Sequence, residues 1–249
     1  MKDRKRLLPI ISPLSLLLIW EVFARLPTRL AHFFAPPSLV LLTIGQMAAT
    51  GELWEHIGWS LLRVLLGFLV GAAPAVLLGM AMGLVPWVRA AFQPIVSATL
   101  PVPKTALLPW IILLLGIGES SRIVIIAIGV FFLVLINTMA GVVNIEPVYL
   151  EVGRNFGARG WRFYSTIAFP GALPTIFAGL KLGLGTAFLL IVFAEQIGVR
   201  EGVGYLIWQA YDTFDIERMF AGLILTSLLG FLSMEALAGL ERRLVPWKS

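Results

Sequence analysis

Residues 144–174 read NIEPVYLEVGRNFGARGWRFYSTIAFPGALP, a polar and aromatic segment that joins two long apolar runs. Loops between neighbouring helices of a bundle usually have about 2 to 8 residues, and this one is several times longer. Apolar and aromatic residues recur along it at helical intervals. The segment therefore predicts a structured element at one end of a helical assembly.

Two short helices are predicted inside this segment. Glu146-Pro147 indicates the start of the first helix, because proline is tolerated in the first helical turn. Gly157 ends it, since glycine adopts the left-handed cap at little cost. A second helix is expected to begin near Arg159. The positions with helical spacing are Tyr149, Leu150, Val152, Gly153 and Phe156 in the first helix, and Trp161, Phe163 and Tyr164 follow in the second.

The composition assigns most of the chain to lipid. Of 249 residues, 59% are hydrophobic and only 13% are charged, whereas soluble domains have about 25% charged residues. The mean hydropathy is +0.92. Because a bilayer offers no water to exposed backbone groups, a chain of this kind is expected to cross it as α-helices. The predicted fold is an all-α, polytopic membrane helix bundle.

Six apolar segments are predicted to span the membrane, since a span needs about 20 mostly apolar residues. The first resembles a signal peptide but lacks a clean cleavage site, and we interpret it as a retained span. Pro101, Pro103 and Pro109 interrupt the third, and Pro170 and Pro174 lead into the fifth. The predicted spans are Leu7–Phe23, Ile57–Val85, a segment within Pro94–Ile117, Ile123–Val143, Leu173–Ala194 and Met219–Leu240.

The distribution of basic residues predicts the orientation. Lys and Arg are enriched in cytoplasmic loops, and most of those outside the spans lie on one side if both termini are cytoplasmic. That side includes Arg154, Arg159 and Arg162 of the segment 144–174. The stretch from Arg25 to His56 then lies outside. An interfacial amphipathic helix is expected there at Leu39–Ala49, with Trp54 and Trp59 at headgroup level.

Small residues predict where the spans pack against one another. Helices in lipid have no hydrophobic drive to associate, so glycines mark close contacts. The pairs with GxxxG spacing are Gly67/Gly71, Gly79/Gly83 and Gly179/Gly183. We interpret them as packing positions inside the bundle.

The segment 144–174 resembles the cytoplasmic EAA loop of type I importer permeases of the ATP-binding-cassette class. That signature has Glu-Ala-Ala, three residues, Gly, nine residues, Ile, one residue and Leu-Pro. Here Glu151, Gly157, Ile167 and Pro170 match at the same spacing, while Val152-Gly153 replaces Ala-Ala and Phe169 replaces Leu. The resemblance extends through residues 116–142, 194–207 (AEQIGVREGVGYLI) and 220–225 (FAGLIL). In these stretches the sequence is similar to the nitrate, sulfonate and taurine branch of the family.

This resemblance implies a MetI-like permease fold in the inner membrane of a bacterium, with the permease core at residues 57–240, an N-terminal unit at 1–56 and a cytoplasmic tail at 241–249. It also implies a second permease copy, a cytoplasmic ATPase dimer and an extracytoplasmic solute-binding protein. Glu151 would orient the loop, Gly157 would form its turn, and Phe156, Trp161 and Phe163 would be apolar anchors. The remaining candidates in the loop are Gly153, Arg154, Ile167 and Pro170. The alternative is an interfacial helix resting on anionic lipid.

Four polar residues are candidates for a translocation path. Lys104 lies beside the prolines of the third span, and broken helices often line sites near the midplane; alternatively it extends its ammonium to the inner interface. Asn137 and Thr138 either line a polar path or bond across helices. Glu195 ends the fifth span and lines the path or, with the acidic residues after it, meets a binding protein.

The sequence gives no indication of catalysis. It has no cysteine and lacks the HExxH, GxSxG and P-loop motifs, so it predicts no enzyme, no cofactor and no ATP site of its own. His32 and His56 are isolated and predict interfacial positions, not a metal site. Nucleic acid is not an expected partner. A secondary transporter or channel is the rival interpretation, and the substrate stays open among nitrate, sulfonates, taurine, cyanate and pyrimidines.

Overall fold

The computed structural model describes residues 2–248, and side chains except those of residues 2–10, 154 and 248. The described part is helical throughout. Its α-helices are α1 (Lys2–Ala24), α2 (Pro37–Thr50), α3 (Glu52–Leu84), α4 (Pro86–Thr99), α5 (Leu108–Leu115), α6 (Glu119–Val143), α7 (Pro147–Asn155), α8 (Gly160–Phe163), α9 (Phe169–Ala194), α10 (Val203–Asp212) and α11 (Ile216–Leu244).

Three long helices, α3, α6 and α9, form the centre of the bundle. Helices α3 and α6 run parallel and α9 runs antiparallel to them. We call the end that carries residues 144–168 the loop end, and the opposite end, where α6 begins at Glu119 and α9 stops at Ala194, the far end. The helices touch through aliphatic side chains such as Ile125, Val130 and Leu135, which are fully buried.

Glycine lets these helices approach backbone to backbone. A Cβ on Gly71 would lie 2.4 Å from the carbonyl oxygen of Ala127. On Gly83 it would meet the side chain of Val142 at 2.4 Å, and on Gly179 that of Asn137 at 2.6 Å. The predicted role of the three GxxxG pairs in bundle packing is confirmed.

The candidate spans agree in part with the predicted six. Among the described residues, five helical stretches are long and apolar enough to cross a membrane: Ala31–Thr50, Glu52–Leu84, Glu119–Val143, Gly160–Ala194 and Ile216–Leu244. The third predicted span is a pair of helices, α4 and the stretch Lys104–Leu115, bent by 90° at the prolines. The predicted interruption is therefore confirmed, and the pair is either one broken span or a re-entrant loop.

The N-terminal region contains helices α1 and α2. Helix α2 covers the segment for which an interfacial helix was predicted, and its sequence PSLVLLTIGQMAAT carries no charged residue. Its 14 residues are about 21 Å long, and only together with the 3-10 turn Ala31–Phe33 before it does the stretch Ala31–Thr50 reach the length of a candidate span. The helix packs Val40 against Ala221 of α11. Helix α1 covers the predicted first span, although its described apolar part, Ile11–Ala24, is shorter than a span.

The segment 144–174 contains the two predicted helices, α7 and α8, and Gly157 has a positive φ of 77° between them. The helix that contains the fifth predicted span, from about Leu173, begins well before that residue. Helix α8 continues through a π-helical turn, Tyr164–Ala168, directly into α9. Pro170 lies in the first turn of α9 and Pro174 inside it. The wide π turn precedes Pro170, whose ring would otherwise clash with the carbonyl of residue 166.

Replacing Gly71 by alanine is expected to destabilise the bundle by about 1–3 kcal/mol, because the new methyl group overpacks a contact between two backbones. The matched control is Gly58→Ala in the same helix, where a Cβ meets nothing within 4 Å. That change should be neutral or slightly stabilising. The midpoint of thermal aggregation in detergent measures both effects. Equal midpoints for the two variants would contradict the packing.

Candidate functional site

The predicted loop residues are brought together by one contact at the loop end. A Cβ on Gly153 would overlap with Cδ1 of Ile167, so the backbone of α7 packs directly against that side chain. Ile167 belongs to the π turn that continues into α9. The motif positions Gly153 and Ile167 therefore join the first loop helix to a central helix of the bundle.

The loop presents an aromatic surface. Phe156 is 86% exposed and Trp161 is 77% exposed. The indole of Trp161 stacks on Tyr164 with centroids 4.9 Å apart. Phe163 behaves differently from the prediction, because its ring packs against the buried cluster around Met80 and Val142 and fixes the segment to the bundle. Of the three predicted anchors, Phe156 and Trp161 are therefore the two that remain exposed.

The other predicted loop residues lie around this surface. Glu151 is exposed on α7, and Pro170 is partly buried where α9 begins. No Cβ contact constrains Gly157, so its positive φ is the reason for glycine there. Arg154 lies outside the residues whose side chains the structure describes.

A buried ion cluster occupies the far end, and the sequence did not predict it. Arg63 of α3 is 1% exposed. Its Nε and Nη2 donate to the two carboxylate oxygens of Glu119 at 2.6 and 2.8 Å. Its Nη1 donates to Glu195 Oε1 at 2.7 Å and to the carbonyl of Glu201 at 2.8 Å. One guanidinium thus joins α3, α6, α9 and the segment before α10.

The same cluster binds the N-terminus of α10. Three successive amides, of residues 202, 203 and 204, donate to His56 Nδ1, Ser60 Oγ and Glu195 Oε2 at 3.0, 2.8 and 2.9 Å. His56, Ser60 and Arg63 share one face of α3 through their spacing. The first amides of a helix have no partners within that helix. Side chains from other helices supply them here.

The glycines of the stretch 194–207 follow from this arrangement. A Cβ on Gly202 would lie 2.3 Å from the carboxyl carbon of Glu195, and one on Gly204 would lie 2.4 Å from the carbonyl oxygen of Val192. Gly202 also has a φ of 120°. Both positions require glycine so that α10 can approach the carboxylate closely.

Two of the predicted residues lie in this cluster. Glu195 is fully buried and its carboxylate accepts hydrogen bonds from Ser60, Arg63 and Gly204, so it faces these groups in this chain, and its role in a path stays a prediction. His56 is 7% exposed and is not isolated, because it belongs to the same cluster. The signal available in the sequence was Arg63 itself. A basic residue within a span needs a buried acidic partner.

The remaining path candidates lie elsewhere in the bundle. Lys104 stands at the bend between α4 and α5, where its Nζ donates to the carbonyl of Thr99 at 2.6 Å and lies 4.7 Å from the ring centroid of Phe132. Asn137 donates to the carbonyl of Leu133 in its own helix at 2.8 Å. Thr138 is fully buried against Gly79, so it faces no open space in this chain.

Across the part of the chain that the structure describes, no group of three His, Cys, Asp or Glu side chains lies in a position to hold a metal ion. The cluster at Arg63 pairs two acidic with two basic side chains, because Arg122 lies 3.7 Å from Glu119. Because its charges are paired with one another, this cluster serves to hold helices together.

A polytopic helix bundle that carries a structured, aromatic loop at one end is the architecture expected of a transport permease. The family model of the binding-protein-dependent transport system inner membrane component matches residues 75–246. The chain belongs to this family, and it is a permease subunit of an ATP-binding-cassette transporter.

Similar proteins include the taurine transport system permease protein TauC of Escherichia coli (strain K12), 35% identical over 93% of this chain and 86% of TauC. The putative aliphatic sulfonates transport permease protein SsuC of Bacillus subtilis (strain 168) is 33% identical over 96% of this chain and 87% of its own. An inward-facing structure of the MetNI methionine ABC transporter has a TM-score of 0.64 at 21% identity, over 77% of this chain and 93% of that one, which shows the MetI-like fold.

Replacing Arg63 by methionine is expected to destabilise the bundle by about 3–5 kcal/mol, since it leaves Glu195 buried and without its countercharge. Adding Glu195→Gln to that variant should recover part of the loss. Arg25→Met is the control, because the side chain of Arg25 in the Arg25–Glu21 pair is 59% exposed and exposed ion pairs contribute about 0–1 kcal/mol. Thermal aggregation midpoints in detergent compare the three variants. A single Arg63→Met variant as stable as Arg25→Met would contradict the role of the cluster.

Proposed function

We propose that this permease imports a small solute across the cytoplasmic membrane, driven by a separate ATPase that grips α7 and α8. The observation that carries the proposal is the exposed aromatic surface of Phe156 and Trp161. In water such a surface is costly unless a partner covers it, and aromatic side chains are enriched at the centres of protein interfaces.

The proposed mechanism follows the contacts through the bundle. A force on α7 reaches Ile167 through Gly153 and therefore acts on α9 without an intervening flexible loop. Helices α9, α6 and α3 meet at glycine contacts that leave little room for sliding. At the far end Arg63 holds the same three helices together. The central helices would then move as one rigid body when the ATPase closes.

We propose that the solute is a small organic sulfonate or a similar anion. Two relatives are permeases for taurine and for aliphatic sulfonates. Among the path candidates, Lys104 supports this choice because its ammonium stands at a bend in the backbone between α4 and α5. The proposal keeps Asn137 as a second candidate for the translocation path. It also keeps nitrate as an alternative anion.

The proposed assembly is a homodimer of permeases in contact with lipid, an ATPase dimer below the loop end and a solute-binding protein at the far end. Both termini would be cytoplasmic. In this arrangement the exposed loop arginines Arg159 and Arg162 lie on the cytoplasmic side, as the positive-inside rule favours.

Replacing Gly157 by valine tests the coupling. A β-branched residue is strained at a positive φ, by about 1–3 kcal/mol, and should displace Phe156 from its position in the turn. The expected result in reconstituted vesicles is loss of substrate-dependent ATPase activity with normal membrane insertion. Gly51→Val is the control. Gly51 also has a positive φ, of 88°, and a Cβ there meets nothing within 4 Å, as at Gly157, but Gly51 lies outside the loop. Unchanged coupling in Gly157→Val would contradict the proposal.

The orientation is testable because the chain has no cysteine. A maleimide that does not cross membranes should label Phe156→Cys only from the cytoplasmic side. It should label Phe214→Cys only from the opposite side, since Phe214 is 77% exposed in the turn between α10 and α11. The reverse pattern, or labelling of both from one side, would overturn the proposed topology.

A further inference from the structure

A groove lies beside the exposed aromatic surface of the loop. The EAA-like motif assigns it no role. It has a volume of about 910 Å³, and its walls include Tyr149 and Val152 of α7, Ile167 of the π turn and Pro174 of α9. The far wall is Trp247, which comes from the C-terminal end of the chain. Two segments that are distant in sequence therefore form one apolar groove.

The position of Trp247 is fixed by the end of α11. Glu241 is buried and its Oε2 accepts from Lys181 Nζ of α9 at 2.5 Å. Val245 is buried as well, and its amide donates to the carbonyl of Glu241 at 2.8 Å. Pro246 then begins a 3-10 turn that carries the indole. The C-terminal segment is thus attached to the same central helix, α9, that α7 contacts through Ile167.

Exposed aromatic side chains line the groove. Trp247 is 56% exposed although it lines a concave surface, and Phe156, in the turn after α7, lines the same groove and is 86% exposed. Tyr149 and Val152 are exposed as well. An apolar surface of this kind at the loop end, continuous with the proposed ATPase surface, is incomplete without a partner side chain.

The charge around the groove indicates the chemistry of that partner. Arg162 and Glu146 both line the groove. Among the side chains that the structure describes, the exposed charges at this end include Arg159, Arg162, Arg242 and Arg243, with Glu146 and Glu151 of opposite sign. Basic residues predominate, so the surface complements an acidic one.

We infer that the C-terminal segment is a second contact for the ATPase, and that an apolar side chain of the ATPase, carried on an acidic surface, inserts between Phe156 and Trp247. The inference rests on the proposed function, because it assumes that the ATPase binds at the loop end. It adds a contact in which the direction of insertion is reversed. Phe156 and Trp161 of the loop insert into the ATPase, whereas a side chain of the ATPase inserts into the permease beside Trp247.

The test is the amount of ATPase subunit that co-purifies with the full-length permease. Trp247→Ala should lower the retained ATPase by about tenfold, as expected when a central interface aromatic is truncated. Trp247→Phe should restore most of it. Trp87→Ala is the matched control, since Trp87 is 74% exposed at the same end but does not line the groove. It should retain the amount seen with the unmodified chain.

Phe156→Ala in the same assay separates the inference from the proposed function. If Phe156→Ala loses the ATPase and Trp247→Ala retains it, the C-terminal contact is wrong and the coupling loop stands. If both variants retain the ATPase fully, the proposed function fails as well.

A second measurement does not depend on the recovery of Trp247→Ala. The rate at which maleimide labels Trp247→Cys should fall by about tenfold when the ATPase is bound, the change expected for a residue buried at an interface core, and Trp87→Cys should be unaffected. Equal rates with and without ATPase would overturn the inference. Slow labelling of the permease alone would do so too, because it would show that lipid or detergent fills the groove.

Discussion

The close contact of α3, α6 and α9 is the constraint on which the rest of this structure depends. Lipid is as apolar as leucine, so these helices gain nothing by hiding aliphatic side chains from it. They gain from dispersion, which is short-ranged and requires close approach. Gly71 provides that approach, because a Cβ at this position would lie 2.4 Å from the carbonyl oxygen of Ala127. The outward faces remain aliphatic, as Leu189 at 75% exposure shows.

Close packing along the helix axes leaves their ends to be fixed by other means. At the far end the means is charge. Arg63 is costly at this depth unless its donors are used, and four of its hydrogen bonds reach three different elements. At the loop end the means is continuity, because the π turn merges α8 with α9. Both ends of the central helices are therefore fixed to neighbouring segments, α7 and α8 at the loop end and α10 at the far end.

The sequence predicts what depends on local spacing and leaves out what depends on distant pairing. Pro147, Gly157 and the GxxxG pairs were found because helix starts, left-handed caps and close contacts have signatures within a few residues. The partnership of Arg63 with Glu195 spans 132 positions, and Trp247 and Tyr149, which line one groove, are separated in sequence by four helices of the bundle.

The bend at Lys104 shows how one residue can hold the backbone and also meet an anion. A helix broken inside a bilayer exposes carbonyl oxygens that lipid cannot satisfy. Lys104 donates to one of them, on Thr99, and its ammonium lies over the ring of Phe132. An anion that reaches this bend would compete with the carbonyl for the same ammonium. The contacts that Lys104 makes with the backbone and with Phe132 are therefore those that an anion at this bend would replace.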